Sequence, residues 1–241
     1  MKIPVIQGLS RRRLLVNYRA DPDIVGGLLP RRLRPQLHGG QALVGICLIR
    51  LEQIRPRRFP ALFGLRSENA AHRFAVEWED DQGNTRQGVF VTRRDTNLWL
   101  NHAAGGRIFP GEHHLARFQV KDSNDEISLS MRSRDGETAI DVCGQVSEAW
   151  PCDSVFKSLA EASAFYERGS LGYSASRRAS RLDGLLLKTQ EWRIQPLEIQ
   201  RVDSSYFDDT CHFPSGSVTF DHALLMRNIP HEWHSAPQLS V

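Results

Sequence analysis

The sequence predicts a mostly β (α+β) protein of one domain, with antiparallel strands and a few short helices. Three observations lead to this prediction: two pairs of extended segments joined by turn residues, one long apolar run of strand type, and one clear amphipathic helix. A chain of 241 residues suits this class, since β barrels of roughly 200–250 residues commonly form a single domain. We therefore expect residues 1–241 to form one domain.

The N-terminal part predicts a strand, a short helix and a core strand. Residues 13–19 are rich in branched and aromatic side chains, which favours a strand. Asp21 and Pro22 form the pair typical of a helix cap and first turn, and Pro30 is expected to end that helix. Residues 41–52 are almost wholly apolar, which predicts a strand buried on both faces.

Two hairpins are predicted in the middle of the chain. Residues 72–80 and 86–94 flank an Asp-Gln-Gly-Asn turn, and residues 126–133 and 137–146 flank an Arg-Asp-Gly turn. Glycine and asparagine supply the positive φ angles that hairpin loops require. Repeated hairpins favour an antiparallel meander or barrel.

The C-terminal part predicts one helix and further strands. The helix is expected to start at Asp153 or Ser154 and to end before Gly169, because apolar residues recur at helical spacing between them. Residues 189–201 and 215–220 are expected to be extended. The residues after Trp233 are predicted to form a frayed tail.

Composition excludes several classes of partner. The 31 basic and 28 acidic residues are interleaved along the chain, so we expect no nucleic-acid partner. The longest apolar runs, such as residues 42–49, fall well short of the ~20 residues that cross a bilayer, and we expect no membrane partner. The N-terminus lacks the apolar core of a secretory signal, which predicts a cytoplasmic location.

The cysteines show no spacing typical of a disulfide framework or a metal site. Cys47, Cys143, Cys152 and Cys211 are scattered without a Cys-x-x-Cys pair, and we expect them to be buried thiols. The sequence also lacks the signatures of phosphate-binding loops, dinucleotide-binding turns, serine hydrolases and zinc peptidases. Standard nucleotide-binding and hydrolase functions are therefore not predicted.

Histidines near the C-terminus leave a metal-dependent enzyme as one hypothesis. His231 and His234 are three residues apart, and His212 and His222 are near them in sequence. Isolated histidines near a chain end are more often surface or capping residues. Our prediction is that the protein uses no metal and no cofactor.

Several segments together resemble the acetoacetate decarboxylase-like superfamily. Residues 11–21 and the short helix after them look like its N-terminal strand and helix, and residues 106–116 resemble the stretch that carries the decarboxylase's catalytic lysine pair. Residues 66–69, 112–117 and 220–233 look more closely like the YqjF-like family of unknown function in the same superfamily. The resemblance covers nearly the whole chain.

This resemblance implies an antiparallel barrel that encloses a cavity, often within a homo-oligomer. In the decarboxylase, a lysine amine forms a Schiff base with a keto acid. The matching pair here is His113-His114, and imidazole does not form that stable link. The nearest lysine, Lys121, lies seven residues beyond His114, so we expect no Schiff-base decarboxylation.

The resemblance also implies candidate site residues. Arg11 matches an arginine that lines the decarboxylase pocket and Glu68 matches a pocket glutamate, whereas a second family glutamate falls near Gly45 and is lost. Adjacent residues on a strand point to opposite faces, so we expect one of His113 and His114 to face the cavity, and the sequence leaves open which one. Glu68 has the alternative of a structural ion pair with a neighbouring arginine.

The sequence leaves two functions open. The first is a cofactor-independent enzyme with lyase-like or isomerase-like activity on a small keto acid or carboxylate, in which Arg11 binds the substrate and Glu68 with His113 or His114 moves protons. The second is a non-catalytic protein that holds a small molecule in the same cavity. Both predict a small-molecule ligand of carboxylate or keto-acid type.

Overall fold

The computed structural model describes residues 4–176 and 180–240, which form a mostly β structure. Within these residues, thirteen strands are assigned. They are β1 (Ile6–Ala20), β2 (Arg34–Pro35), β3 (Leu37–His38), β4 (Gln41–Pro56), β5 (Leu65–Glu79), β6 (Thr85–Thr96), β7 (His114–Asp122), β8 (Glu126–Ser133), β9 (Ala139–Val146), β10 (Leu171–Ala175), β11 (Arg181–Thr189), β12 (Gln195–Ser204) and β13 (Val218–Ser240).

Short helices connect some of these strands. They are α1 (Pro22–Leu28), α2 (Trp99–Ala104), α3 (Leu159–Arg168) and one turn of 3-10 helix (Ala61–Phe63). None of the described helices is long and apolar enough to span a lipid bilayer.

All thirteen strands belong to one sheet. Its main path runs β11-β10-β6-β7-β8-β9-β12-β13-β1-β4-β5-β2, and β3 pairs with β4. Two additional pairings, β5 with β6 and β11 with β13, make the path return on itself. The expectation of antiparallel pairing is only partly right, because β6 pairs in parallel with both β7 and β10 and the sheet is mixed.

The hydrophobic core lies on both faces of the central strands. Along β1, Leu14 and Val16 pack in one apolar cluster, whereas Leu15 between them packs in a second cluster with Tyr166 of α3. This alternation follows from the two-residue period of a strand. Residues 42–48 of β4 are buried throughout, as their apolar character predicts.

Local sequence signals place several elements correctly. The Asp21 carboxylate accepts hydrogen bonds from the backbone N–H groups of Asp23 and Ile24 at the start of α1, and Pro22 is the first helical residue. Both predicted hairpins are present as β5–β6 and β8–β9.

The predicted start of α3 is wrong. The helix begins at Leu159, where the Ser158 hydroxyl accepts a hydrogen bond from the Glu161 N–H. The Ser154 hydroxyl instead donates to the Asp221 carboxylate at 2.7 Å, and the Val155 N–H donates to the same group at 3.0 Å. The hydroxyl of Ser154, one of the two expected caps, is therefore used in a tertiary contact with β13.

Two further expectations are corrected by the structure. The residues after Trp233 are not a frayed tail, because β13 continues to Ser240, pairs with β11, and buries Leu239. The cysteines are not all buried: Cys47 is, whereas Cys152 and Cys211 are exposed.

Candidate functional site

A cavity of about 480 Å³ lies inside a closed circuit of seven strands. Lining residues come from β1, β4, β5, β6, β10, β11 and β13, which pair in that order and back to β1. Helix α2 and the loop after it contribute the remaining side. The lining is largely apolar and includes Ile49, Leu51, Val89, Val91, Leu185 and Leu187.

The paired strands β4 and β5 arrange the cavity wall in successive rows. Alternate residues of an antiparallel pair share one face, so each row adds one residue from each strand. From the buried end to the open end, the rows are Gly45–Arg73, Cys47–Ala71, Ile49–Asn69, Leu51–Ser67 and Ile54–Leu65. Arg73 is 7 % exposed and Leu65 is 40 % exposed, which defines the direction from inner end to mouth.

Three arginines contribute positive charge to the inner rows. Arg73 forms the first row, Arg94 of β6 is paired with Ala71 in the second, and Arg13 of β1 is paired with Ile49 in the third. Among the described residues, none of the three forms an ion pair with a carboxylate. Burial lowers the pKa of Arg73 and lowers that of Arg94 to about 10. A guanidinium group in a protein keeps its charge at neutral pH.

Arg73 is held by a chain of buried polar side chains that leads away from the cavity. Its Nη2 donates to the Asn17 Oδ1 at 2.7 Å, and the Asn17 amide contacts the His222 Nε2 at 3.1 Å. The His222 Nδ1 lies 2.5 Å from the Asp221 carboxylate. The guanidinium carbon also lies 5.1 Å from the ring centre of Tyr166. These contacts fix the position of Arg73 without neutralising its charge directly.

His113 faces the same cavity from the loop before β7. Its Nδ1 lies 3.1 Å from the Gly111 carbonyl oxygen, so the neutral ring donates its proton there. Burial, and secondarily the positive charge of Arg94, lower the pKa of His113 to about 3. The one side-chain hydrogen bond of His113 to another described residue uses Nδ1, which leaves Nε2 available. The site therefore combines cationic groups with a neutral imidazole.

The space around His113 depends on two glycines. A Cβ atom at Gly105 would lie 2.6 Å from the His113 Nδ1, and one at Gly111 would lie 2.7 Å from the Arg94 Nη1. Gly111 also has a φ of 76°, a conformation that side chains disfavour. The glycines let this loop approach the histidine and the arginine closely.

The structure does not bring all the sequence-predicted residues to one pocket. Arg11 is exposed and donates to the Asn228 side chain at 2.8 Å. Glu68 is buried, but it points to the opposite face, where it pairs with Arg12 at 2.6 Å. His114 lies outside the cavity lining and its Nδ1 is 2.9 Å from Asp135. Of the candidate residues, His113 alone is in the cavity lining.

Sequence reasoning missed Arg13, Arg73 and Arg94. Arg13 lies two residues after Arg11, the arginine that the family resemblance indicated. Arg73 lies between the buried residues His72 and Phe74, and a charged residue within an apolar strand is a usable signal for a site. Pairing between distant strands was needed to place the three arginines on one cavity.

The C-terminal histidines do not converge on a common point. His234 contacts Glu232, His212 contacts Asp209 and His222 contacts Asp221, while His231 contacts the Ser10 hydroxyl. In the described part of the chain, no group of three or more potential metal ligands is close enough to hold an ion. The metal hypothesis gains no support from these positions.

Comparison with solved structures identifies the fold. Acetoacetate decarboxylase from Legionella pneumophila subsp. pneumophila str. Philadelphia 1 matches with a TM-score of 0.61 and 12 % identity, over 98 % of this chain and 88 % of that one. An acetoacetate decarboxylase-like enzyme from Sphingomonas wittichii RW1 matches with a TM-score of 0.62 and 12 % identity, over 100 % and 94 %. The enduracididine biosynthesis enzyme MppR, in complex with pyruvate, matches with a TM-score of 0.61 and 10 % identity, over 100 % and 91 %.

Sequence comparison gives the family. No curated protein matches the chain. The family model DUF2071, described as "Uncharacterized conserved protein", matches residues 10–223. The family match and the solved structures confirm the resemblance noted in the sequence: the chain belongs to the DUF2071 family and has an acetoacetate decarboxylase-like fold.

Proposed function

We propose that the cavity binds an organic carboxylate or keto acid. The observation that carries this proposal is the set of three arginines, Arg13, Arg73 and Arg94, that face the cavity without a carboxylate partner among the described residues. Buried charges without a counter-ion are costly. An anionic ligand supplies the missing counter-charge, and guanidinium groups bind carboxylates through paired hydrogen bonds.

The apolar wall and the pyruvate-bound neighbour support the same proposal. A pocket that is mainly apolar with a few placed polar groups is typical of small-molecule sites. A solved structure of MppR, which has a similar fold, is complexed with pyruvate. No lysine lines the cavity in the described part of the chain, so the proposed binding does not involve a Schiff base.

The proposal is tested by comparing two arginines on the same strand. We expect pyruvate, acetoacetate or a related keto acid to raise the melting temperature of the wild-type protein. Arg13→Gln should weaken the affinity by about tenfold or more, since a hydrogen bond to a charged group contributes about 1.5–3 kcal/mol. Arg11→Gln is the matched control, because Arg11 is exposed two residues away and outside the cavity lining.

Isothermal titration with the same acids gives the affinities directly. If Arg11→Gln lost binding and Arg13→Gln kept it, the anion site would lie where the sequence placed it, and the cavity assignment would be wrong. If no carboxylate or keto acid bound the wild type, the proposed function would be rejected.

A second candidate function, acid–base catalysis, is favoured by the state of His113. Its lowered pKa keeps the imidazole neutral at pH 7, so the free Nε2 is able to accept a proton. In the proposed step, Nε2 removes a proton from the carbon next to the keto group, and the bonding electrons form an enolate whose charge Arg94 stabilises. A carboxylate bound nearby would raise the pKa of His113 toward neutrality and make it a stronger base.

This step predicts that the α-hydrogen of the keto acid exchanges for deuterium in heavy water. NMR spectroscopy measures this exchange. We expect His113→Gln to abolish the exchange while pyruvate still binds. His114→Gln is the matched control, because His114 is adjacent but contacts Asp135 outside the cavity. Binding without exchange in the wild type would instead support the alternative predicted from the sequence, a non-catalytic binding protein.

A further inference from the structure

The cavity is polar at one end and apolar at the other. Moving outward, the first three rows each carry one arginine: Arg73, then Arg94, then Arg13. The last two rows pair Leu51 with Ser67 and Ile54 with Leu65. The wall therefore changes from cationic to apolar over the length of two strands.

The polar groups near the outer rows are already satisfied within the protein. The Asn69 amide donates to the Ser67 hydroxyl at 2.9 Å, and the Asn101 amide donates to the Asn69 Oδ1 at 3.2 Å. The Arg55 guanidinium at the mouth donates to the carbonyl oxygens of Gln53 at 2.6 Å and Phe59 at 3.0 Å. Asn69, Asn101 and Arg55 therefore already use hydrogen bonds within the protein near the outer rows.

The cavity is also longer and larger than a short keto acid requires. Arg73 and Leu65 are eight residues apart on β5, which at about 3.3 Å per residue corresponds to roughly 26 Å of strand. A volume of about 480 Å³ equals the space of roughly 16 water molecules in the liquid, at about 30 Å³ each. Pyruvate at the arginines would leave the outer, apolar half empty.

Apolar side chains continue from the cavity onto the surrounding surface. Leu65 and Leu100 line the mouth and are 40 % and 48 % exposed. The segments that carry them also expose further large apolar side chains, namely Phe59, Leu62, Phe63, Trp99 and Ile108. A ligand with an apolar tail therefore meets apolar side chains at the mouth and on the surface next to it.

We propose that the preferred ligand is a carboxylate on a long unbranched apolar chain, bound with the carboxylate at the inner arginines and the tail extending to the mouth. This inference rests on the proposed function, since it uses the same anion site, and it adds the class of the ligand and its orientation. The carboxylate neutralises buried positive charge, while the methylene groups bury apolar surface against the two outer rows.

The test is a titration series with acetate, butanoate, octanoate and dodecanoate below their micelle concentrations. Affinity should rise by about fourfold for each methylene group that enters the apolar half. Octan-1-ol should bind more weakly than octanoate by about tenfold or more, because it lacks the charge that the arginines recognise.

Two kinds of variant test separately how the carboxylate and the apolar chain of the ligand contribute to affinity. Arg94→Gln should weaken all the bound acids by a similar factor, because each places its carboxylate at the inner end. Leu100→Asn should weaken dodecanoate and leave butanoate within twofold, because only the longer tail reaches the mouth. Leu37→Asn is the matched control, since Leu37 of β3 is 50 % exposed, close to the exposure of Leu100, and lies outside the cavity lining.

The outcomes distinguish this inference from the proposed function. If butanoate binds in an Arg94-dependent manner but affinity does not rise with chain length, the inference is overturned and the proposed function stands. If dodecanoate binds equally well to Arg94→Gln, the tail alone drives binding and the stated orientation is wrong. If no acid of any length binds, the proposed function fails as well.

Discussion

At the scale of single residues, Glu68 shows how a candidate catalytic group is used in a structural pair. Its Oε2 lies 2.6 Å from the Arg12 Nη2, and its Oε1 lies 3.3 Å from the Arg50 Nη1. Arg12 is 2 % exposed, and its other carboxylate partner, Asp122, is 3.4 Å away. Both oxygens of Glu68 are thus engaged by guanidinium groups on the face opposite the cavity.

We expect Glu68→Gln to lower the free energy of unfolding by about 3 kcal/mol, because it leaves a buried guanidinium without its main counter-ion. Affinity for a keto acid should change less than twofold. Chemical denaturation and titration calorimetry measure the two effects. Glu112→Gln, at an exposed position, is the control and should change stability by about 0.5 kcal/mol or less. If Glu68→Gln kept its stability but no longer bound the keto acid, Glu68 would belong to the binding site and the structural assignment would be wrong.

The residue scale also explains why the family resemblance indicated Arg11, whereas Arg13 lines the cavity. Three consecutive arginines on a strand alternate between its faces, so the sequence allows Arg12 or the pair Arg11 and Arg13 to face a cavity. The register of β1 against β4 shifts between Ser10 and Arg12. The face that each arginine presents therefore depends on pairing with a distant strand, and the resemblance to a family pocket did not supply that register.

At the scale of elements, the sequence predicted what local chemistry determines. The hairpin β5–β6 follows from its own turn, where the Asp80 carboxylate accepts hydrogen bonds from the backbone N–H groups of Gln82 and Asn84. The start of α3 and the end of β13 depend instead on tertiary partners, Asp221 for the first and β11 for the second. The same reason explains the missed parallel pairings of β6, since neither β7 nor β10 follows it through a local turn.

At the scale of the whole molecule, buried histidines make the fold sensitive to mild acid. Burial lowers the pKa of His72 to about 3 and that of His231 to about 4, and it also lowers the pKa of His222. His113 in the cavity behaves in the same way. In the unfolded chain these side chains titrate near pH 6.5. As the pH falls below about 6.5, the unfolded state binds protons that the folded state does not, so stability decreases.

His72 gives the sharpest test of this effect. It is fully buried, its ring stacks on Tyr206 at 4.3 Å, and neither ring nitrogen has a hydrogen-bond partner among the described residues. A pKa of about 3 implies that His72 alone lowers the free energy of unfolding by about 2 kcal/mol between pH 7 and pH 5, since each pH unit below 6.5 corresponds to about 1.4 kcal/mol.

His72→Phe keeps an aromatic ring against Tyr206 and removes the titrating group. We therefore expect the variant to lose about 2 kcal/mol less than the wild type over that interval, measured by urea denaturation at each pH. His212→Gln, at an exposed histidine, should follow the wild-type curve, and an equal acid sensitivity of the wild type and His72→Phe would show that His72 takes up its proton in the folded state.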